Sequence, residues 1–125
     1  MENKKERREV ERFVIQGAEV IYQQEKTFKI LERFSKPVPL KDISKSGIRF
    51  EVDQYIGPGS LVDLQISVPG LGTIGIKGHV VWVARQEPFD RYHVGIQFLP
   101  FGEGHLYNSF ASRDQLDRLI NTYIN

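Results

Sequence analysis

Residues 41–52 of the chain read Lys-Asp-Ile-Ser-Lys-Ser-Gly-Ile-Arg-Phe-Glu-Val. The second part of this segment, residues 48–52, alternates apolar and charged side chains, which is the period of a half-buried β-strand. The first part carries Asp42, Ser44 and Gly47, residue types that favour turns because they cap backbone N–H groups or permit unusual backbone angles. The segment therefore predicts a turn that opens directly into a strand.

This turn has two interpretations. A carboxylate, a hydroxyl and a bare backbone meet at the start of the strand, and this combination suits a planar polar ligand. In that case Asp42 would accept paired N–H groups, as it would from a guanine edge. The alternative is an ordinary Asp or Ser turn with a purely structural role, and such turns are common.

Composition restricts the class of protein. The chain has 125 residues, of which 40% are hydrophobic and 26% charged, as expected for one globular domain. Its formal net charge of +1 argues against a general polyanion binder, so we expect no DNA or RNA partner. There is no cysteine, which excludes disulfides and thiol catalysis. No apolar run is long enough to span a membrane. We expect a cytoplasmic protein without membrane insertion.

The first twelve residues are crowded with charge and too poor in apolar side chains to order themselves in isolation. We therefore interpret residues 1–12 as a flexible arm and residues 13–125 as the folded domain. Arg8 and Arg12 lie four positions apart, so they share a face in a helix and also in a strand. Their guanidinium groups can grip phosphate oxygens and stack on bases. The alternative is a solvated charge run whose Glu–Arg pairs contribute little to stability.

The rest of the chain alternates in the manner of an antiparallel β protein. Strands are predicted at residues 18–22, 27–34, 48–52, 61–68, 73–84 and 92–98. Pro37 and Pro39 break the pattern between the second and third of these, since proline cannot donate to a central ladder. Gly75 and Gly78 predict a bend or bulge in the long strand. Short strands at this spacing indicate a small β-barrel or sandwich.

The last part of the chain has the period of a helix. Ser112 and Gln115 resemble a capping box that would begin it. The apolar residues that follow at helical spacing are Leu116, Leu119, Ile120 and Tyr123. We expect this helix to pack as a lid on one end of the barrel.

The sequence contains no recognisable catalytic motif. The three histidines are scattered without metal-site spacing, and neither a nucleophile elbow nor a phosphate-binding P-loop occurs. We therefore expect no enzyme activity, no catalytic residue and no metal.

Trp82 lies within the predicted long strand and is interpreted as a core residue. Packing between the barrel and the helix is expected of the later aromatic residues, Phe98, Phe101, Tyr107 and Phe110.

Two motifs taken together favour the ligand-binding interpretation. They are Arg8-x-x-x-Arg12 and Asp42-x-Ser44-x-x-Gly47, in this order. The pair is the signature of the PilZ domain family, which the chain resembles over residues 7–120. Residues 78–83 and 92–98 are similar to the last two strands of that family. The resemblance implies a six-stranded antiparallel β-barrel of the split-barrel PilZ type, with a C-terminal α-helix and a flexible charged N-terminal arm.

The resemblance also implies a function, that of a non-catalytic bacterial receptor for the second messenger cyclic di-GMP, with this ligand and no cofactor. Arg8 and Arg12 would clamp the phosphates and stack on or hydrogen-bond guanine. Arg7, directly before the motif, would help to hold a stacked, intercalated pair of ligand molecules. The small net charge argues against the alternative of a single-strand nucleic-acid binder, which would need a basic groove.

The second motif supplies the remaining site residues implied by the resemblance. Asp42 and Ser44 would meet a guanine edge and nearby ligand oxygens, and Gly47 would let the backbone come close. Ligand binding is expected to order residues 1–12 across the barrel and to present a new surface to a downstream protein partner. We expect a monomer or weak dimer. The alternative is a ligand-independent PilZ-like adaptor, although such members usually lack the arginine motif that is intact here.

Overall fold

The computed structural model describes residues 11–25, 34–88 and 90–124. The strands in these ranges are β1 (Glu19–Gln24), β2 (Val38–Ile43), β3 (Gly47–Val52), β4 (Leu61–Val68), β5 (Gly72–Gln86) and β6 (Arg91–Phe98), and the helix is α1 (Phe110–Ile124). The strands close into an antiparallel barrel in the order β1-β2-β3-β6-β5-β4. The predicted six-stranded barrel with a C-terminal helix is confirmed. No helix in the described ranges is long and apolar enough to cross a membrane.

The core fills the interior of the barrel because each strand turns alternate side chains inward. In β4 the predicted inward-facing residues are all buried, namely Val62, Leu64, Ile66 and Val68. The rings of Phe50 and Tyr22 lie 5.5 Å apart between β3 and β1. All six strands and α1 contribute to one apolar cluster, so the barrel and the helix share a single core.

In the N-terminal half of the barrel, β2 includes a proline predicted to break the strand pattern. The predicted strand at residues 27–34 lies outside the described residues except for Phe34, which is not in a strand. Among the described residues, β2 is the next strand after β1, and it includes Pro39. The expected interruption at this proline is wrong because β1 and β2 pair over two positions only, Glu19 with Pro39 and Val20 with Val38. So short a ladder tolerates the missing N–H of proline.

The helix begins three residues earlier than predicted. Ser109 is its N-cap, since the Ser109 Oγ accepts a hydrogen bond from the Ser112 backbone N–H at 3.1 Å. The Ser112 hydroxyl then donates to the Gly75 carbonyl of β5 at 2.7 Å, which ties the first turn to the barrel. The predicted cap at Ser112 is therefore wrong. Of the predicted apolar face, Leu116, Leu119 and Ile120 are buried, whereas Tyr123 is exposed.

A bulge in β5 changes the environment of its aromatic residue. Val80 pairs with Ile96 and Trp82 with Gly95, so Val81 is the extra residue. Because one additional residue shifts the alternation of a strand, Trp82 faces outward and its side chain is 40% exposed. Its interpretation as a core residue is therefore wrong, and the bulge does not lie at the predicted glycines.

The later aromatic residues divide into two groups. Phe98 is buried and Phe101 packs against the core, as predicted. Tyr107 and Phe110 are exposed, so their expected packing between the barrel and the helix is wrong. They lie in the connection before α1 and at its first residue, where the helix has not yet reached the barrel core.

A substitution at Gly47 tests how closely β3 and β6 approach. A Cβ atom at this position would lie 2.0 Å from the Ile96 carbonyl oxygen, which is backbone and cannot rotate away. We expect Gly47→Ala to lower the free energy of unfolding by about 1–3 kcal/mol in chemical denaturation. Gly75→Ala is the matched control, because a Cβ there meets nothing within 4 Å. Equal stability of the two variants would contradict the close approach.

Candidate ligand-binding site

The centre of the site is a buried carboxylate held by two arginines. Asp42 lies in β2 and its side chain is 5% exposed. The Arg12 Nε donates to Asp42 Oδ1 at 2.8 Å. The Arg49 Nε donates to Oδ1 and Oδ2 at 2.9 and 3.0 Å, and the Arg49 Nη2 also donates to Oδ2. A buried charge requires such partners, so Arg12, Asp42 and Arg49 form one unit, here called the Asp42 clamp.

The electrostatics of the clamp keep the carboxylate ionised. Burial by itself raises the pKa of Asp42, but the hydrogen bonds and charges of Arg49 and Arg12 outweigh it and hold the pKa below its usual range. The hydrogen bond to Asp42 also raises the pKa of Arg49. At neutral pH Asp42 therefore presents acceptor oxygens only, and it can bind a group that offers paired N–H donors.

The chain entering the barrel places Arg12 in the clamp. The next residue, Phe13, donates its backbone N–H to the Ile43 carbonyl at 2.7 Å and accepts from the Ile43 N–H at 3.0 Å. This isolated bridge fixes the backbone beside the end of β2. Arg12 and Asp42, which lie 30 positions apart in the sequence, are thereby brought into direct contact. The structure thus joins one residue from each of the two predicted motifs.

Strand register places an aromatic surface beside the clamp. Asp42 pairs with Arg49, Arg49 with Gly95, and Gly95 with Trp82. These four residues therefore form one row of neighbours across β2, β3, β6 and β5. A Cβ at Gly95 would lie 2.3 Å from the indole Nε1, which means that the Trp82 ring lies against the bare backbone of Gly95. A shallow cavity of about 200 Å³ is lined by Arg12, Arg49 and Trp82 among others. Guanidinium groups and an exposed ring in one cavity suit an anionic aromatic ligand.

The other residues of the second motif build the turn between β2 and β3. Ser44 is fully buried, and its Oγ accepts backbone N–H groups from Ser46 and Gly47 at 3.1 and 3.2 Å. Gly47 allows β6 to approach, as described above. In this structure both residues shape the turn, and their predicted ligand contacts stay predictions. Asp42 itself lies in the strand before the turn and not within it.

Besides Trp82, sequence reasoning missed two of the residues assembled here. Arg49 lies across the β2–β3 turn from Asp42, and reading residues 41–52 as a hairpin would have paired the two. Gly95 within a strand was a signal of a close approach, which Trp82 makes.

Arg7 and Arg8 lie outside the described residues, so their roles stay predictions. Within the described ranges, no three His, Asp or Glu side chains are grouped to hold a metal ion.

The fold and the clamp define a small β-barrel domain in which a buried carboxylate, two arginines and an exposed aromatic ring lie close together. A family model, described as the PilZ domain, matches residues 6–121. Because this match covers nearly the whole chain, the protein belongs to the PilZ domain family, as the two motifs predicted.

Several solved structures are similar to this barrel. Escherichia coli YcgR in complex with c-di-GMP has a TM-score of 0.65 and 14% identity over 93% of this chain and 45% of that chain. The K. pneumonia MrkH–c-di-GMP complex has a TM-score of 0.63 and 14% identity over 92% of this chain and 50% of that chain. The PilZ domain of E. coli YcgR with c-di-GMP has a TM-score of 0.61 and 14% identity, with 93% and 90% covered.

At these identities the likeness shows the fold. The chain spans about half the length of the YcgR and MrkH chains that it matches. No curated protein matches it in sequence.

The pH dependence of stability tests the electrostatics of the clamp. Since the folded pKa of Asp42 is lowered, its contribution is present above the unfolded-state pKa of about 4 and is lost as the pH falls through the folded value. We expect Asp42→Asn to cost about 1.5–3 kcal/mol of unfolding free energy at neutral pH and much less in acid. Urea denaturation over a pH series measures this difference.

The control for this series is Asp117→Asn, because Asp117 is an exposed residue of α1 whose pair with Arg113 is long, at 3.9 Å. We expect it to change stability little at any pH. A difference between the wild type and Asp42→Asn that stays constant from neutral to acid pH would contradict the lowered pKa.

Proposed function

We propose that the chain is a receptor for cyclic di-GMP that catalyses no reaction. The observation that carries this proposal is the contact between Arg12 and Asp42, which brings one residue of each PilZ motif into the same clamp. Membership of the PilZ family supports the choice of ligand, as do the c-di-GMP complexes of YcgR and MrkH.

The groups of the site match those of the ligand. Cyclic di-GMP has two guanines, whose edges carry adjacent N–H donors, and two phosphates. The Asp42 oxygens would accept from one guanine edge, and Arg12 would bind a phosphate, since its side chain is one-third exposed. The exposed Trp82 ring would stack on a base. Charge-assisted contacts of about 1.5–3 kcal/mol each would support micromolar binding after the cost of ordering the ligand.

The N-terminal residues complete the proposed site. Arg8 would clamp phosphate beside Arg12, and Arg7 would help to hold a second, stacked ligand molecule. Both assignments rest on the sequence. Phe13 is bonded to the end of β2, so the segment before it joins the barrel next to Asp42. A ligand that bridges this segment and the clamp would order residues 1–12 and present them to a protein partner.

Calorimetric titration tests the receptor function. We expect cyclic di-GMP to bind the wild type saturably, and Arg12→Ala to weaken binding at least tenfold because a charge-assisted contact is lost. The single tryptophan, Trp82, should report the same binding as a change in fluorescence.

Two controls accompany this titration. Arg113→Ala removes an exposed arginine of α1 and should bind as the wild type does, and GTP should give no saturable signal. Absence of cyclic di-GMP binding to the wild type would contradict the proposal and favour a ligand-independent adaptor. Equal affinity of Arg12→Ala and the wild type would contradict the role of the clamp.

Amide hydrogen exchange tests the proposed signalling step. We expect exchange in residues 1–12 to slow when cyclic di-GMP is added, because the ligand would hold this segment against the barrel. Exchange in β4, which lies opposite β3 in the closed barrel, serves as the internal control. If the ligand binds and exchange in residues 1–12 does not change, ordering of the arm is not the signal.

A further inference from the structure

Arg49 occupies the part of Asp42 that a guanine would use. Its Nε and Nη2 groups lie side by side and donate to the two carboxylate oxygens as a fork. The edge of guanine carries the same pattern, a ring N–H next to an exocyclic amine. Both groups are planar, and both need Oδ1 and Oδ2 together. Arg49 and guanine therefore cannot make this paired contact with Asp42 at the same time.

Arg12 does not block the carboxylate in the same way. It makes one hydrogen bond, from Nε to Oδ1. An ionised carboxylate has about four acceptor positions, so with respect to the described residues this bond leaves one position on Oδ1 and both on Oδ2. Removal of Arg49 alone is thus enough to expose an edge that spans both oxygens. The two arginines of the clamp therefore contact the carboxylate in different ways.

We propose that Arg49 is an internal competitor of the ligand, which holds Asp42 in the empty site and is displaced by guanine when the ligand binds. This inference rests on the proposed cyclic di-GMP receptor function and assigns its regulation. Competition by Arg49 lowers the affinity for cyclic di-GMP and so raises the ligand concentration at which the receptor fills.

The surroundings of Arg49 permit this displacement. Its side chain is 36% exposed, so part of it already faces solvent. It borders the same shallow cavity as Trp82, and its cross-strand neighbour Gly95 has no side chain of its own. The buried Asp42 keeps Arg12 as a partner while guanine replaces Arg49, so the carboxylate is never left unpaired.

Substitution of Arg49 by lysine distinguishes competition with guanine for Asp42 from the effect of the positive charge alone. Arg49→Lys keeps the positive charge that attracts phosphate, but an ammonium group cannot form a planar fork across both oxygens. We expect this variant to bind cyclic di-GMP about tenfold more tightly than the wild type in calorimetric titration. Arg49→Met, which keeps an apolar stem and offers no donor, should bind at least as tightly as the wild type. Circular dichroism establishes that each variant is folded.

Arg91→Lys is the matched control. Arg91 is also a strand arginine whose Nε donates to a strand carboxylate, Glu51 Oε1, at 3.0 Å, and it does not border the cavity beside the clamp. We expect its affinity to equal that of the wild type.

The outcomes of this experiment are distinct. Tighter binding by Arg49→Lys with unchanged binding by Arg91→Lys supports the proposal. If the wild type binds and both Arg49 variants bind equally or more weakly, competition is overturned while the receptor function stands. If no protein binds cyclic di-GMP, the receptor function fails, and the competitor role fails with it.

Discussion

The carboxylate of Asp42 is the constraint on which the rest of the site depends. A charge that is almost fully buried must be paired, and here the partners come from the entering chain and from β3. The clamp thereby joins Arg12, β2 and β3 through side chains, in addition to the backbone bridge at Phe13. A ligand that changes the partners of Asp42 acts on all three segments together. Under the proposed receptor function, this coupling would let a signal start at one carboxylate.

The barrel holds the clamp in place through close contacts between strands. Gly47 lets β3 approach β6, and Gly95 lets the Trp82 ring lie against the backbone of β6. The bulge at Val81 turns this ring outward, beside the arginines. A closed barrel with one shared core leaves these positions little freedom, so the site is preorganised on rigid strands. A rigid barrel with an arginine that exchanged partners, as proposed for Arg49, would suit a receptor.

Alternation of apolar residues and short motifs predicted the features that depend on neighbouring residues in the sequence. The alternation in β4 identified its buried face, and the two motifs identified the family and the residues Arg12 and Asp42. The outward position of Trp82 could not be predicted, because it follows from one extra residue in the pairing of β5 with β6. The pairing of Arg49 with Asp42 depends on the register of the β2–β3 hairpin. The sequence predicted that Ser44 binds the ligand. Its burial could not be predicted, because it arises only when the turn between β2 and β3 closes.

The side-chain Nε–H signals of the arginines in nitrogen-15 NMR test the central claim most directly. Arg12 and Arg49 both donate through Nε to Asp42, whereas Arg91 donates to Glu51. On saturation with cyclic di-GMP, we predict that the Arg12 and Arg49 signals move and that the Arg91 signal does not. If the ligand binds and the signals of both clamp arginines stay in place, Asp42 is not where it binds, and the proposed role of the clamp is contradicted.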